Sequence, residues 1–207
     1  MLAPTLDPTR SAPELHVHDI VRQILAGTPP KWTEAGESRL QHMRRVGDLL
    51  RAWAEALGLD EGECVRWEAA GRLHDLLRDA DPEVLRSRVP PALSGWAGPL
   101  LHGPAAAERL RVEGVDDGEL LTAVAFHTVG DPRFGRLGRA LYAADFLEPG
   151  RSFLEEWRAE LSARMPDDLD GVVMEIARAR ISNRLDRGDR VLPRTLDFWN
   201  SLVDESR

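Results

Sequence analysis

The chain has 207 residues, of which 43% are hydrophobic and 30% are charged, a composition that predicts one globular domain with a substantial core. Its net charge of −8 at pH 7 argues against broad nucleic-acid binding, which usually needs a basic surface. The same charge does not exclude a local phosphate site, because a metal ion or a few arginines can dominate one cleft.

A single cysteine, Cys64, excludes an internal disulfide and a cysteine-rich zinc site, and it fits a cytoplasmic location. No stretch reaches the ~18 apolar residues of a membrane span, so we expect no membrane association. The N-terminal residues do not show the charged and apolar regions of a secretory signal.

Residues 1–13 contain three prolines and predict a disordered segment, and residues 14–26 predict a short helix that the sequence GTPPKW terminates. We expect residues 1–37 to be an N-terminal lead-in, partly disordered, and residues 38–207 to form a single helical domain. His16 and His18 fall in the lead-in and are therefore not candidates for a site.

Two long helices follow the lead-in. Ser38 is the expected N-cap of the first, whose apolar residues recur at helical spacing until Gly58. Asp60 is the expected N-cap of the second, which runs to the adjacent pair His74 and Asp75.

The remainder of the chain also predicts helices. They are expected at residues 100–110, at 119–128 after a cap at Asp116 or Asp117, at 138–147 and at 168–186. One or two strands in the last twenty residues are compatible with the pattern, which contains no series of alternating strands. The predicted fold class is all-α, a helical bundle with a metal site between helices.

Four histidines, all in or beside predicted helices, accompany two aspartates, Asp75 and Asp145. The histidines are His42, His74, His102 and His127. Imidazole and carboxylate ligands suit iron, manganese, cobalt or zinc without any thiolate. Four histidines and two aspartates could fill a two-metal site in which one carboxylate bridges the ions.

A structural interpretation of these residues competes with the metal site. A lone histidine on a helix is more often a core or surface residue than a ligand, and a His-Asp pair is frequent by chance. Asp145 is harder to explain in that way, because the apolar segment LYAADFLEP predicts burial and a buried carboxylate needs a partner. On periodicity alone the two interpretations are equally supported.

Five sequence segments, taken in chain order, favour the metal-site interpretation over the structural one. They are RLQH, LHDLLRD, LLHGPAAAERL, AVAFHTVGDP and ALYAADFLEPGR. This series is similar to the HD-domain superfamily of metal phosphohydrolases, whose signature is His…His-Asp…Asp. The linked HTVG and YAADFLEPGR segments resemble the YqeK family, the bacterial symmetrical diadenosine tetraphosphate hydrolases, from about Arg39 to the C-terminus.

The resemblance implies roles for individual residues. The implied ligands of one iron ion are His42, His74, Asp75 and Asp145. His102 and His127 match positions that complete a second metal or contact the substrate phosphate. The implied substrate contacts include Arg39, Arg78 and Arg151, and the implied catalytic residues are Asp75, His102, His127 and Arg78. The cofactor is thus one or two iron ions, with manganese, cobalt or zinc left open.

Two positions depart from the family pattern. Arg78 stands where the family commonly has lysine, and because arginine stays protonated it can clamp a phosphate but cannot donate a proton. Asp131 stands where relatives often have arginine, and Arg133 is the candidate that would replace this substrate contact.

The leading hypothesis is hydrolysis of diadenosine tetraphosphate to two ADP by a metal-activated water. The alternatives are an HD phosphohydrolase acting on a nucleoside triphosphate, an alarmone or a cyclic nucleotide, and a nucleotide-binding regulator with low turnover, which Arg78 and Asp131 would permit. The expected partner is a dinucleoside polyphosphate or an ADP-like nucleotide rather than a nucleic acid. The sequence does not indicate an oligomeric state.

Overall fold

The computed structural model describes residues 18–207, so His16 and the disorder predicted for residues 1–13 lie outside the described residues. Ten α-helices form in this range: α1 (Asp19–Leu25), α2 (Glu37–Ala56), α3 (Glu61–Leu73), α4 (Pro82–Arg86), α5 (His102–Val112), α6 (Gly118–Phe126), α7 (Arg136–Leu147), α8 (Glu155–Arg164), α9 (Leu169–Asp186) and α10 (Pro193–Glu205). Residues 18–207 contain no strand, which confirms the all-α prediction.

Two of the predicted helix caps are present. The Asp60 carboxylate accepts a hydrogen bond from the backbone N–H of Glu63 at the start of α3. The Asp117 carboxylate accepts one from the backbone N–H of Leu120 at the start of α6. Each cap satisfies a backbone donor that the helix itself leaves free, which contributes about 1 kcal/mol.

The predicted cap of α2 was wrong. The helix begins at Glu37, so Ser38 lies within its first turn, and Gly36 occupies the capping position without a side chain. The Gly36 N–H instead donates to the Asp79 carboxylate at 2.8 Å. A distant residue therefore satisfies this helix end, and the local sequence gave no sign of it.

The possibility of strands near the C-terminus was also wrong, because these residues form α10. Phe198 and Leu202 are buried and lie four residues apart, which is helical spacing. The Phe198 ring makes edge contacts with Phe134 and Tyr142 at centroid distances of 5.4 and 5.3 Å. This packing onto the core fixes the helix.

Helix α7 forms the centre of the molecule. All of its residues from Leu137 to Leu147 are buried, which is the expected position of a helix that is apolar around most of its circumference. Helices α2, α3, α6, α8 and α9 contact it, while α5 packs on α6 and α10 packs on α9. Asp145 is thereby carried into the interior on the central helix.

Helix α1 packs against α3 and buries Ile20, Val21 and Ile24 in the core. The described part of the predicted lead-in thus contributes to packing, and the domain boundary at residue 38 stays a prediction. Within the described range, no helix combines the length and apolar character needed to cross a membrane.

Helices α2 and α3 approach most closely where Gly47 faces Gly71. A Cβ atom on Gly71 would lie 2.5 Å from the Gly47 backbone nitrogen and 2.8 Å from the Val46 carbonyl carbon. Only hydrogen atoms fit between the two backbones at this point. Gly47 follows His42 by five residues on α2, and Gly71 precedes His74 by three residues at the end of α3, so this contact helps to set how far apart the two histidines are.

We expect Gly71→Ala to lower the free energy of unfolding by roughly 1–3 kcal/mol, because the added methyl group forces the two helices apart. Urea denaturation followed by circular dichroism measures the change. Gly95→Ala is the matched control, since a Cβ there meets no atom within 4 Å. Equal stabilities of the two variants would contradict this account of the helix contact.

Candidate metal centre

Three of the four candidate histidines are oriented by backbone carbonyl groups near helix ends. In each case the imidazole Nδ1 donates a hydrogen bond to the carbonyl three residues earlier: His74 to Gly71 at 2.8 Å, His102 to Pro99 at 2.9 Å and His127 to Val124 at 2.8 Å. With the hydrogen on Nδ1, a neutral imidazole presents the Nε2 lone pair on its other side. Nε2 is therefore the atom of these side chains that is available to a metal ion.

The fourth, His42 on α2, is oriented by Glu148. The His42 Nδ1 lies 3.1 Å from Glu148 Oε1, and the same carboxylate accepts hydrogen bonds from Arg45 Nε at 2.6 Å and Gly150 N at 2.8 Å. Burial opposes ionisation of Glu148, but the bonds from Arg45, Gly150 and His42 outweigh it and lower its pKa to about 2. Glu148 is therefore a carboxylate at neutral pH and keeps the Nε2 lone pair of His42 free.

Four ligand atoms converge in a first cluster. The Nε2 atom of His42 lies 3.3 Å from His74 Nε2 and 3.2 Å from Asp145 Oδ1, and His74 Nε2 lies 3.4 Å from Asp75 Oδ2. Ligands at about 2.1 Å from a metal lie roughly 3.0 Å apart in an octahedron and roughly 3.4 Å apart in a tetrahedron. These three separations match those values, whereas His42 Nε2 to Asp75 Oδ2 and His74 Nε2 to Asp145 Oδ1 are longer, at 3.8 and 3.9 Å.

A second cluster uses the other oxygen of Asp75. Asp75 Oδ1 lies 3.0 Å from His102 Nε2 and 3.3 Å from His127 Nε2, and the two nitrogens are 3.2 Å apart. Asp75 is buried, and its Oδ1 atom has no hydrogen-bond partner among the described residues. The carboxylate faces one cluster with each oxygen, which is the arrangement of a bridging ligand.

The chemistry of this donor set fits a metal ion. Nitrogen and oxygen lone pairs that face one another at about 3 Å repel unless a proton or a cation lies between them. Burial lowers the pKa of His102, which favours its neutral form. Burial also opposes ionisation of Asp75, but positive charge and hydrogen bonds from His74, His102 and His127, when these are protonated, outweigh it and hold its pKa well below the ordinary value. A bound metal ion would supply the same positive charge. Neutral imidazoles around an ionised carboxylate are ligands for a divalent transition metal.

A cavity of about 600 Å³ opens over this centre. Asp75, Asp145, His102 and His127 lie in its wall, whereas His42 and His74 lie behind them. Six arginines also line it: Arg39, Arg78, Arg151, Arg180, Arg184 and Arg190. A chain with a net charge of −8 thus concentrates positive charge at this cavity, which indicates an anionic ligand.

Two of the arginines predicted to contact substrate border the centre directly. Arg39 Nη1 lies 2.8 Å from Asp75 Oδ2, and Arg151 Nη2 lies 2.5 Å from Asp145 Oδ1. Arg78 also lines the cavity, and no carboxylate within residues 18–207 forms an ion pair with it. Its positive charge is available to a bound anion.

Arg133 does not line the cavity. Its Nε donates to Asp131 Oδ1 at 2.8 Å, its side chain is 64% exposed, and Asp131 also pairs with Arg194. The structure therefore does not bring Arg133 to the cavity in place of the arginine that the family resemblance implies at residue 131. The carboxylate two residues away holds it elsewhere.

Arg180 on α9 is a cavity residue that the sequence analysis did not identify. Its Nη1 donates to the Thr128 carbonyl at 3.0 Å, and its Nη2 lies 3.6 Å from Asp145 Oδ2. The guanidinium carbon lies 4.4 Å from the Tyr142 ring centroid. Its local sequence does not distinguish Arg180 from the many other arginines of the chain. Glu148 also had no predicted role, although it lies in the distinctive YAADFLEPGR segment.

The segment between α7 and α8 is held by Arg158. This buried side chain donates to the backbone carbonyls of Phe146 at 3.0 Å, Glu148 at 2.5 Å and Arg151 at 2.7 Å. Burial lowers the pKa of its guanidinium. One side chain thus fixes the backbone that presents Glu148 and Arg151 to the centre.

The fold and the site together define a helical domain with a candidate metal centre beneath an arginine-lined cavity. The chain belongs to the HD domain family, which it matches over residues 39–180.

Proteins with curated names extend the comparison. The chain is 29% identical over 177 residues to a Halalkalibacterium halodurans protein and 27% identical over 170 residues to a Staphylococcus aureus protein, each named "Bis(5'-nucleosyl)-tetraphosphatase, symmetrical". These matches cover 83% and 79% of this chain and 92% and 86% of the relatives.

A solved structure is also similar. It is a Clostridium acetobutylicum protein described as a predicted HD superfamily hydrolase involved in NAD metabolism. The TM-score is 0.73 at 26% sequence identity, over 89% of this chain and 96% of that protein. The similarity therefore extends over nearly the whole length of both proteins.

We expect His74→Ala and Asp145→Asn to lose bound metal, because each change removes one ligand atom from the first cluster. Metal analysis of the purified variants by plasma mass spectrometry measures the loss. His18→Ala is the control, since His18 caps α1 away from the centre. Unchanged metal content in both site variants would contradict the assignment.

We expect Glu148→Gln to weaken metal affinity by about 10- to 100-fold, because a neutral amide no longer fixes the His42 ring as a carboxylate does. Competition with a metal chelator measures the affinity. Glu83→Gln is the control at an exposed glutamate, whose side chain is 76% accessible. If the two variants release metal at the same chelator concentration, Glu148 does not orient His42 for binding.

Proposed function

We propose that this chain is a metal-dependent hydrolase that cleaves diadenosine tetraphosphate symmetrically into two ADP. The observation that carries the proposal is the pair of ligand clusters joined by Asp75 at the base of an arginine-lined cavity. Relatives of nearly the same length whose names specify symmetrical cleavage of a bis-nucleosyl tetraphosphate support the choice of substrate.

The proposed metal ligands are the residues of the two clusters. The first ion would be held by His42, His74, Asp75 and Asp145, and a second by Asp75, His102 and His127. When bound, the metal supplies an activated water for attack on phosphorus and offsets negative charge on the phosphates. We propose iron, with manganese, cobalt and zinc as the alternatives that metal analysis would distinguish.

In the reaction, water adds to one of the two central phosphorus atoms, and the bridging oxygen between them leaves with the other ADP. Because ADP is a weakly basic leaving group, the step needs little general-acid assistance. Arg78 can therefore serve as a phosphate clamp that stays protonated throughout. Arg39 and Arg151 lie against Asp75 and Asp145, where they can bind the oxygens of the reacting phosphates.

His102 and His127 lie where the cavity meets the second cluster. Their Nδ1 bonds to the backbone leave each Nε2 as the only atom that can act on a metal or on a phosphate oxygen. Together with Asp75 and Arg78 they are the proposed catalytic residues. A cytoplasmic location is part of the same proposal and is supported by the low cysteine content.

We expect the metal-loaded protein to convert diadenosine tetraphosphate to ADP alone, because the central anhydride bond is the one that is cleaved. Anion-exchange chromatography of the products measures this, with Asp75→Asn as the inactive control. Formation of ATP and AMP would contradict symmetrical cleavage. Tight retention of ADP without turnover would contradict the hydrolase assignment and favour a regulator.

We expect Arg78→Ala to lower kcat/KM by about 10- to 100-fold, because a charged hydrogen bond to phosphate is lost. Arg78→Lys should retain most of the activity, since it keeps the positive charge at this position. Arg136→Ala, at an exposed arginine outside the cavity, is the control. Equal kinetics for Arg78→Ala and the control would remove Arg78 from the proposal.

A further inference from the structure

One wall of the cavity is apolar. Phe153 and Leu154 line it although they are 41% and 60% exposed, and Trp157 lies beside them on α8. The Phe146 ring, which also lines the cavity, contacts Phe153 and Trp157 at centroid distances of 5.4 and 5.7 Å. We refer to Phe153, Leu154 and Trp157 as the apolar wall.

The backbone of the apolar wall is strained. Leu154 has φ 46° and ψ 43°, and it is the only non-glycine residue with positive φ within residues 18–207. Leucine avoids this conformation because its Cβ atom approaches a backbone carbonyl oxygen. Strain of this kind persists where surrounding contacts determine the backbone, and it concentrates at ligand-binding sites. Here the strained residue points an exposed apolar side chain at the cavity.

Arg158 supplies the contacts that determine this backbone. Besides its bonds to the preceding carbonyls, its Nη1 donates to the Phe153 carbonyl at 3.4 Å, and its guanidinium carbon lies 5.1 Å from the Phe153 ring centroid. The apolar wall is therefore held in place by Arg158 as well as by the Phe146 ring.

The apolar wall and the anion-binding centre are adjacent. Phe146 directly follows Asp145 in α7, and Arg151, whose guanidinium reaches Asp145, precedes Phe153 by two residues. The Arg180 guanidinium carbon lies 5.4 Å from the Phe146 ring centroid. A ligand whose phosphates occupy the arginine-lined centre would thus carry its next group onto an exposed aromatic and aliphatic surface.

We propose that the apolar wall binds a nucleobase of the substrate, so that the protein recognises the nucleoside end as well as the phosphate chain. This inference rests on the proposed function for the identity of the substrate. Stacking of bases on aromatic side chains contributes to affinity and tolerates different bases, because every base has a π face. The charged centre would then select phosphate, and the apolar wall would select nucleotides over inorganic polyphosphates.

Calorimetric titration of the metal-loaded protein with ADP and with pyrophosphate tests the proposal. We expect Phe153→Ala and Leu154→Gly each to weaken ADP binding by about tenfold and to leave pyrophosphate binding unchanged. Leu154→Gly removes the side chain at a residue whose left-handed backbone glycine adopts without steric cost, so added backbone strain does not explain its effect.

Leu185→Ala is the matched control, because Leu185 is 63% exposed and lies outside the cavity lining. Unchanged ADP affinity in both variants would overturn the proposal. An equal loss of ADP and pyrophosphate affinity would also overturn it, since the variants would then have disturbed the charged centre. If sedimentation velocity shows that the variants change the oligomeric state and leave ADP affinity unaltered, the apolar wall is an interface between copies of the chain.

Kinetics with diadenosine tetraphosphate separate this inference from the proposed function. We expect Phe153→Ala to raise KM by about tenfold with little change in kcat. If the wild type does not hydrolyse this substrate but still binds ADP more tightly than pyrophosphate through the apolar wall, the proposed function fails and the inference stands. If hydrolysis occurs and both variants have wild-type KM and ADP affinity, the inference fails alone.

Discussion

The candidate site depends on hydrogen bonds between imidazole Nδ1 atoms and backbone carbonyls. The last carbonyls of a helix have no partner within the helix, and His74 and His127 bind such carbonyls at the ends of α3 and α6. One bond therefore satisfies a buried backbone acceptor and fixes an imidazole ring. The positions at which these helices end thus determine where the Nε2 atoms meet around Asp75. The geometry of the site therefore depends on where α3 and α6 terminate.

Several buried charges are concentrated in one place by this arrangement, and each has a compensating partner. Asp145 is buried within the central helix, where Arg151, Arg180 and His42 surround its two oxygens. Glu148 is enclosed by Arg45, His42 and a backbone N–H. Without such partners each carboxylate would be strongly destabilising in the core. The network that stabilises the charges is therefore the same network that orients the ligand atoms.

The sequence predicted those parts of the fold and site that leave a local pattern. Helices such as α2 and α9 have apolar residues at helical spacing, whereas α8 buries only Arg158 and Leu161 and has little periodic signal. The ordered histidines and aspartates could be identified before the fold was known, although their ligand roles stay predictions. Arg180 could not, because its role depends on the packing of α9 against α7. The expectation for Arg133 followed from chain proximity, which took no account of the attraction of Asp131.

The side-chain hydrogen bonds of Arg158 all go to main-chain carbonyl oxygens. Because a carbonyl group is the same for every amino acid, the bonds from Arg158 to residues 146, 148 and 151 do not depend on which side chains those residues carry. Substitutions at residues 153 and 154 can therefore change the wall of the cavity while the bonds that hold the backbone of Glu148 and Arg151 persist. The cavity wall and the candidate metal centre are thus able to evolve separately.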